Sequence, residues 1–139
     1  MSRQKEAEKL LGPTKAAFLI TSDESGQPDA RAMAVAAADG LKTLWMMTGK
    51  MSDKYKQLSN NPSCMLYATD LEDTANYLEL RLWGRIELLD DAESKSRAWR
   101  DDYLCYFPGG KEDPNLAVLK FVAIRGTLQS QDGKESLSL

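Results

Sequence analysis

The 139-residue chain contains no histidine. That absence removes serine–histidine and cysteine–histidine nucleophile systems, histidine metal sites and proximal-histidine haem ligation. Cysteine is scarce: Cys64 and Cys105 stand far apart, with no C-x-x-C spacing. They read as reduced thiols in a cytoplasmic protein rather than as a disulfide framework. No apolar run approaches the ~20 residues of a membrane span. The first nine residues carry both charge signs and lack the apolar stretch of a secretory signal. Basic excess is missing too. Lys and Arg number 18 against 21 Asp and Glu, for a net charge of −3, which argues against a general binder of nucleic acid or of acidic membrane surfaces.

What remains is the composition of one globular domain over residues 1–139, with 42% hydrophobic and 28% charged residues. A short helix is expected over 2–11, ended by Gly12-Pro13. Strands are expected over 16–21, 28–38, 42–48, 63–69, 77–88 and 120–128. Asp39-Gly40 is a hairpin signal between the second and third. A helix is expected over 52–60 and a longer one over 90–106. Asp113-Pro114 reads as the N-cap and first residue of a helical turn. The tail, 130–139, reads as loose. Six short strands with few helices point to a small antiparallel barrel, closed to avoid exposed edges.

One segment carries chemistry. Thr48-Gly-Lys-Met-Ser-Asp-Lys54 joins a strand to a helix, with Ser52 as the expected N-cap. Lys50, Lys54 and Lys56 crowd the positive end of that helix, where a cation is disfavoured and an anion welcome. A phosphate held among Ser52, Lys54 and a neighbouring strand resolves the conflict; a capped surface helix with solvated lysines is the alternative. The second strand presents Ala30, Ala32, Ala34, Ala36 and Ala38 on one face. Arg31 shares the other with Met33 and Val35.

The ordered set Gly26-x-Pro28-x-x-Arg31-x-Met33, Asp39-Gly40, Leu44-Trp45-x-x-Thr48-x-x-x-Ser52-x-Lys54 and Asn61-Pro62 resembles the flavin-binding split barrels related to pyridoxamine 5′-phosphate oxidase. Gly84 to Asp91, Trp99 and the run from Tyr106 to Pro114 resemble the bacterial general stress protein branch. The resemblance covers about residues 6–129. It implies a Greek-key split β-barrel and a homodimer with FMN at the subunit interface; FAD or a deazaflavin are the other cofactors it allows. It also implies that Arg31, Ser52 and Lys54 hold the flavin phosphate. Met33, Ala34 and Val35 would contact the ring, with Met47 and Thr48 along the ribityl chain and ring edge. No metal and no catalytic acid or base is assigned. Two departures stand out. The histidine-bearing C-terminal substrate motif of the oxidase is absent, so oxidation of pyridoxamine phosphate is not expected. Glu79 also stands where the oxidase has a glutamine that reaches the partner's flavin, and Arg81 is placed to pair with it. Tyr103, Tyr106 and Phe107 either cover the flavin or a substrate or pack helix against barrel and dimer, with Trp99 read as packing, and Cys105 reads as a structural rather than a redox thiol. The leading reading is a cytoplasmic, dimeric, FMN-binding protein of the general stress type, whose chemistry, if it is an enzyme, is flavin-dependent oxidoreduction; a flavin-storing or cofactor-free dimer without catalysis is the alternative.

Overall fold

A computed structural model describes residues 2–12 and 15–139. Helix α1 (Arg3–Lys9) is capped by Ser2, whose hydroxyl accepts from the Lys5 amide. Pro13, expected to end this helix with Gly12, lies outside the described residues. The strands are β1 (Ala17–Ser22), β2 (Pro28–Met33), β3 (Ala37–Asp39), β4 (Thr43–Gly49), β5 (Ser63–Asp70), β6 (Leu78–Leu89), β7 (Leu116–Ser130) and β8 (Gly133–Ser136). Helix α2 (Asp53–Asn60) follows β4, and α3 (Ala92–Ala98) follows β6.

The eight strands form one antiparallel sheet in the order β2-β1-β5-β6-β7-β4-β3, with β8 added to β7. Six strands in a closed barrel were expected, and both points need correction. The expected strand 28–38 is two strands, and they lie at opposite edges of the sheet. The barrel is therefore not closed by hydrogen bonds. Residues 34–36 carry the chain across the gap, anchored where the Ala36 amide donates to the Trp45 carbonyl at 2.9 Å. Alternation continues through this stretch, which is why it reads as one strand. Its alanines supply little cross-strand contact, so pairing is not enforced there. Val35, 4% exposed, turns into the core and pins the crossing.

The core is lined by Leu19, Leu44, Met46, Leu66, Leu80, Leu82, Leu119, Phe121 and Leu128, all essentially buried. Where a strand gives two of them, on β4 and β6, they occupy alternate positions, as strands with one buried face require, and on β7 the alternation of Leu119 and Phe121 changes phase at Ile124, where the register with β6 slips, before Leu128. A second cluster of Trp45, Ala98 and Val118 seats α3 on β4 and β7.

Three further expectations need correction. The helix expected over 90–106 ends at Ala98, and residues 101–105 form a separate 3₁₀ turn. The Trp99 indole donates to Asp101, and the Arg100 guanidinium to Asp102. Side chains two residues apart do not face each other on an α-helix, so two such pairs in succession are incompatible with one. Asp113 does not start a helical turn. It closes the 3₁₀ turn Gly110–Glu112, and its carboxylate accepts from the amides of Gly109 (3.0 Å) and Asn115 (2.9 Å). The loose tail is in part a strand: residues 133–136 pair with β7 from Ser130 back to Thr127. Polar residues on an outer edge give no apolar period to read.

Gly84 lies at an irregularity of β6, opposite β7. A Cβ there would stand 2.3 Å from the Val122 carbonyl oxygen and 2.8 Å from the Phe121 ring. Gly84→Ala should cost about 1–3 kcal/mol or more through overpacking. Urea denaturation measures it; an unchanged midpoint would mean the β6–β7 contact is looser than described.

Candidate functional site

The gap in the barrel opens into a cleft of about 610 Å³. One wall comprises Ala32, Met33 and Ala34 beside the crossing, with Met47, Thr48 and Gly49 at the end of β4 and Lys54 from α2. The other comprises Arg100, Asp102, Tyr103, Tyr106 and Phe107 from the turn after α3, with Asn115 at the head of β7. Both walls exist because the sequence stops regular structure there. The alanine crossing leaves space, and the break at Trp99 swings an aromatic segment over it.

The sign conflict at the start of α2 is resolved differently for each lysine. Lys50 pairs with Asp90 at 3.0 Å. Lys56 is exposed. Lys54 folds back, and its ammonium donates to Thr48 Oγ1 at 3.1 Å. No carboxylate lies within ion-pairing distance of Lys54 among the described residues. Burial pushes its pKa below the ordinary lysine value, and the Arg31 charge pushes the same way against a smaller opposing effect of Asp53. Such a cation, half-buried beside a second one, is a group that an anion would relieve.

Ser52 is the N-cap of α2. Its hydroxyl lies 3.0 Å from the Thr48 hydroxyl, donates to the Gly49 carbonyl (2.8 Å) and accepts from the Tyr55 amide (3.3 Å). It faces Thr48 from behind the turn and is not among the cleft-lining residues.

Arg31 sits opposite Leu19 in the β1–β2 register, on the inner side of the sheet. Its guanidinium donates to Thr21 Oγ1 (2.7 Å), the Asp29 carboxylate (2.9 Å) and Gln57 Oε1 (3.2 Å). It is fixed at the end of the barrel behind Lys54 rather than lining the cleft. Of the eight residues expected to contact a cofactor, Met33, Ala34, Met47, Thr48 and Lys54 line the cleft together. Arg31 and Ser52 stand behind them, and Val35 is in the core.

Phe107 is 7% exposed and Tyr106 is 74% exposed, so the first packs and the second is available at the rim. Trp99 packs edge-on to Tyr103 at 6.0 Å. Glu79 accepts from the Tyr67 hydroxyl and lies 3.6 Å from Arg81. Arg81 in turn donates to Gln129 at 3.2 Å. Burial raises the Cys64 thiol to about 12, which makes it unreactive. Gly49, Arg100, Asp102 and Asn115 were not singled out from sequence. For Asn115 a signal existed in Asp113-Pro114-Asn115, where an Asp two residues before an Asn favours a side-chain-capped turn as much as a helix start.

The structure thus defines a split-barrel protein with an open cleft of mixed polar and apolar lining that is cationic at Lys54. The sequence profile described as "Pyridoxamine 5′-phosphate oxidase like" matches residues 2–135. The chain belongs to that family, in its general stress protein branch. A solved protein of Clostridium acetobutylicum, described as related to general stress protein 26, is 30% identical. The match covers 98% of this chain and 94% of that one, with a TM-score of 0.84. General stress protein 26 of Bacillus anthracis is 19% identical over all of both chains, with a TM-score of 0.79. An F420 reductase shares the fold at 22% identity and a TM-score of 0.61, over 86% of this chain and 94% of that one. No curated protein sequence matches. Among the described residues no helix is long and apolar enough to cross a membrane.

The lowered pKa of Lys54 has a stability consequence. Folding disfavours its charged form, so a deficit is present below the folded pKa and is relieved as pH rises through it. Lys54→Met should therefore not lower the melting temperature at neutral pH, and should raise it by at most about 4 °C. A drop of several degrees in a thermal melt would show that the ammonium is already satisfied within the chain.

Proposed function

We propose that the protein binds a phosphorylated flavin, FMN, in the split of the barrel. The observation that carries this reading is the Lys54 ammonium, half-buried in the wall of a partly apolar cleft, near the Arg31 charge and itself without a paired carboxylate among the described residues. The phosphate is held directly by Lys54, whose ammonium is positioned by the buried Thr48 hydroxyl. Arg31 adds charge from behind, and Ser52 fixes the turn. Met33, Ala34 and Met47 flank the ring, with Val35 packed beneath the crossing. Charge-assisted hydrogen bonds of ~1.5–3 kcal/mol each give phosphate preference without a glycine-rich loop. The likeness to an F420 reductase also keeps a deazaflavin within the range of ligands, and FAD stays within it because the cleft is open at the Tyr106 rim. A flavin supplies hydride and electron transfer when bound. This chain's own part is to bind, orient and shield it.

The working form is a cytoplasmic homodimer. The outward-facing Phe18, 40% exposed, lies in register with Tyr67, and Tyr67 with Arg81. A second copy would cover this aromatic and polar band by the commonest symmetric arrangement. Glu79 is already engaged by Tyr67 and Arg81. It therefore reaches a partner's flavin poorly, and Arg81 is the better donor from that face. An oxidoreductase follows if a donor and an acceptor reach the ring, whereas a flavin-storing protein needs neither.

Lys54→Ala should weaken FMN by roughly tenfold or more, and Arg31→Ala, which removes only a charge behind the site, by less, while both leave riboflavin nearly unaffected, as read by flavin fluorescence quenching. Equal losses for both ligands, or no binding by the wild type, would end the reading. Sedimentation at low micromolar concentration should show one dimeric species; a folded monomer there would contradict the assembly. FMN-loaded protein supplied with pyridoxamine phosphate and oxygen should yield no pyridoxal phosphate. A saturable, flavin-dependent rate would show that the missing C-terminal motif is dispensable.

A further inference from the structure

Asn115 lies at the head of β7, far in sequence from the turn at 49–52, yet it contacts that turn from three of its atoms. Its backbone carbonyl accepts from the Lys50 amide at 2.7 Å. Its side-chain oxygen accepts from the Met51 amide at 3.3 Å. Its amide nitrogen sits over Gly49, 2.8 Å from where a Cβ would stand. Any residue but glycine at position 49 would displace that amide. Asn115 is itself fixed from the other side, because its backbone amide donates to Asp113, whose carboxylate also holds Gly109. Because its oxygen is committed to the Met51 amide, the NH2 group is the free end of the side chain. That group makes no hydrogen bond among the described residues, and Asn115 lines the same cleft as Thr48, Gly49 and Lys54.

We propose that Asn115 is the specificity-determining residue of this cleft: its two oxygens brace the phosphate turn, and its amide NH2 donates to the phosphate of the bound flavin. The inference rests on the flavin reading above and adds a ligand contact to it. Bracing matters because Thr48 and Lys54 stand on either side of the turn; a turn that relaxes separates the ammonium from the hydroxyl that positions it. The free NH2 matters because it is a neutral donor beside a cation. It supplies a bond to a phosphate oxygen with no added charge to desolvate, and on a flavin that ends in a hydroxymethyl group it meets only a single neutral hydroxyl oxygen, a shorter and weaker acceptor.

The test titrates full-length wild type, Asn115→Ala, Asn115→Asp and Gly49→Ala with FMN and with riboflavin, following quenching of flavin fluorescence, alongside thermal melts. Wild type should prefer FMN. Asn115→Ala should lose that preference by roughly tenfold to a hundredfold, with riboflavin unchanged. Asn115→Asp keeps the oxygen that receives the Met51 amide, so it should melt like wild type and still lose the preference. Gly49→Ala should lose it too, by displacing the amide, and it reports independently if Asn115→Ala does not fold. A retained FMN-to-riboflavin ratio in folded Asn115→Asp or Gly49→Ala overturns the role of Asn115 and leaves the flavin reading standing. A wild type with no preference for FMN overturns both.

Discussion

The structure depends on one covalent constraint: three residues, 34–36, join strands that lie at opposite edges of the same sheet. Hydrogen bonding runs from β2 round to β3 and stops. The chain closes the ring where the ladder does not. Small side chains permit the crossing, Val35 anchors it in the core, and the Ala36 amide ties it to β4. A ladder that continued across the gap would leave no room for the cleft. Met33 and Ala34 line it because they are the last residues before the crossing, and Met47 to Gly49 because β4 ends there.

The charge arrangement follows from the same geometry. With the barrel open, α2 can set its first turn against the gap, and Lys54 can reach back to Thr48 instead of out to water. Lys50, four residues earlier and outside the cleft, finds Asp90. Arg31 is surrounded by Thr21, Asp29 and Gln57, so its charge is fixed while its hydrogen bonds are largely spent. One cation is therefore available and one is structural. A lysine suits the available role, since its desolvated ammonium is a mobile point charge, whereas the arginine's planar fork suits a fixed network.

Local physics was legible in the sequence. Ser52 caps α2 and Asp39-Gly40 turns the β3–β4 hairpin, with Gly40 at φ 58°, because each depends on residues a few positions apart. The lysine crowding at the start of α2 also pointed to the region that became the cleft. What was not legible depended on distance in sequence. Alternation through Ala32, Ala34 and Ala36 continues whether or not a partner strand is present, so the split of strand 28–38 left no mark. The break at Trp99 is set by pairs with Asp101 and Asp102 that helical periodicity does not register. Asn115 meets Lys50 and Met51 across 64 or more positions, a contact that only the folded sheet creates. The pale, polar β8 lacked any apolar signal.

The claim on which the functional reading turns is that the cationic end of the cleft takes the phosphate of a flavin. The most direct measurement is the ³¹P spectrum of FMN titrated with the protein, beside the same titration with Lys54→Met. The predicted result is a saturable shift of the phosphate resonance with wild type, together with perturbed flavin absorbance, and no ³¹P shift with the variant. Perturbed ring absorbance with an unshifted phosphate, or the same ³¹P shift in both proteins, would contradict it.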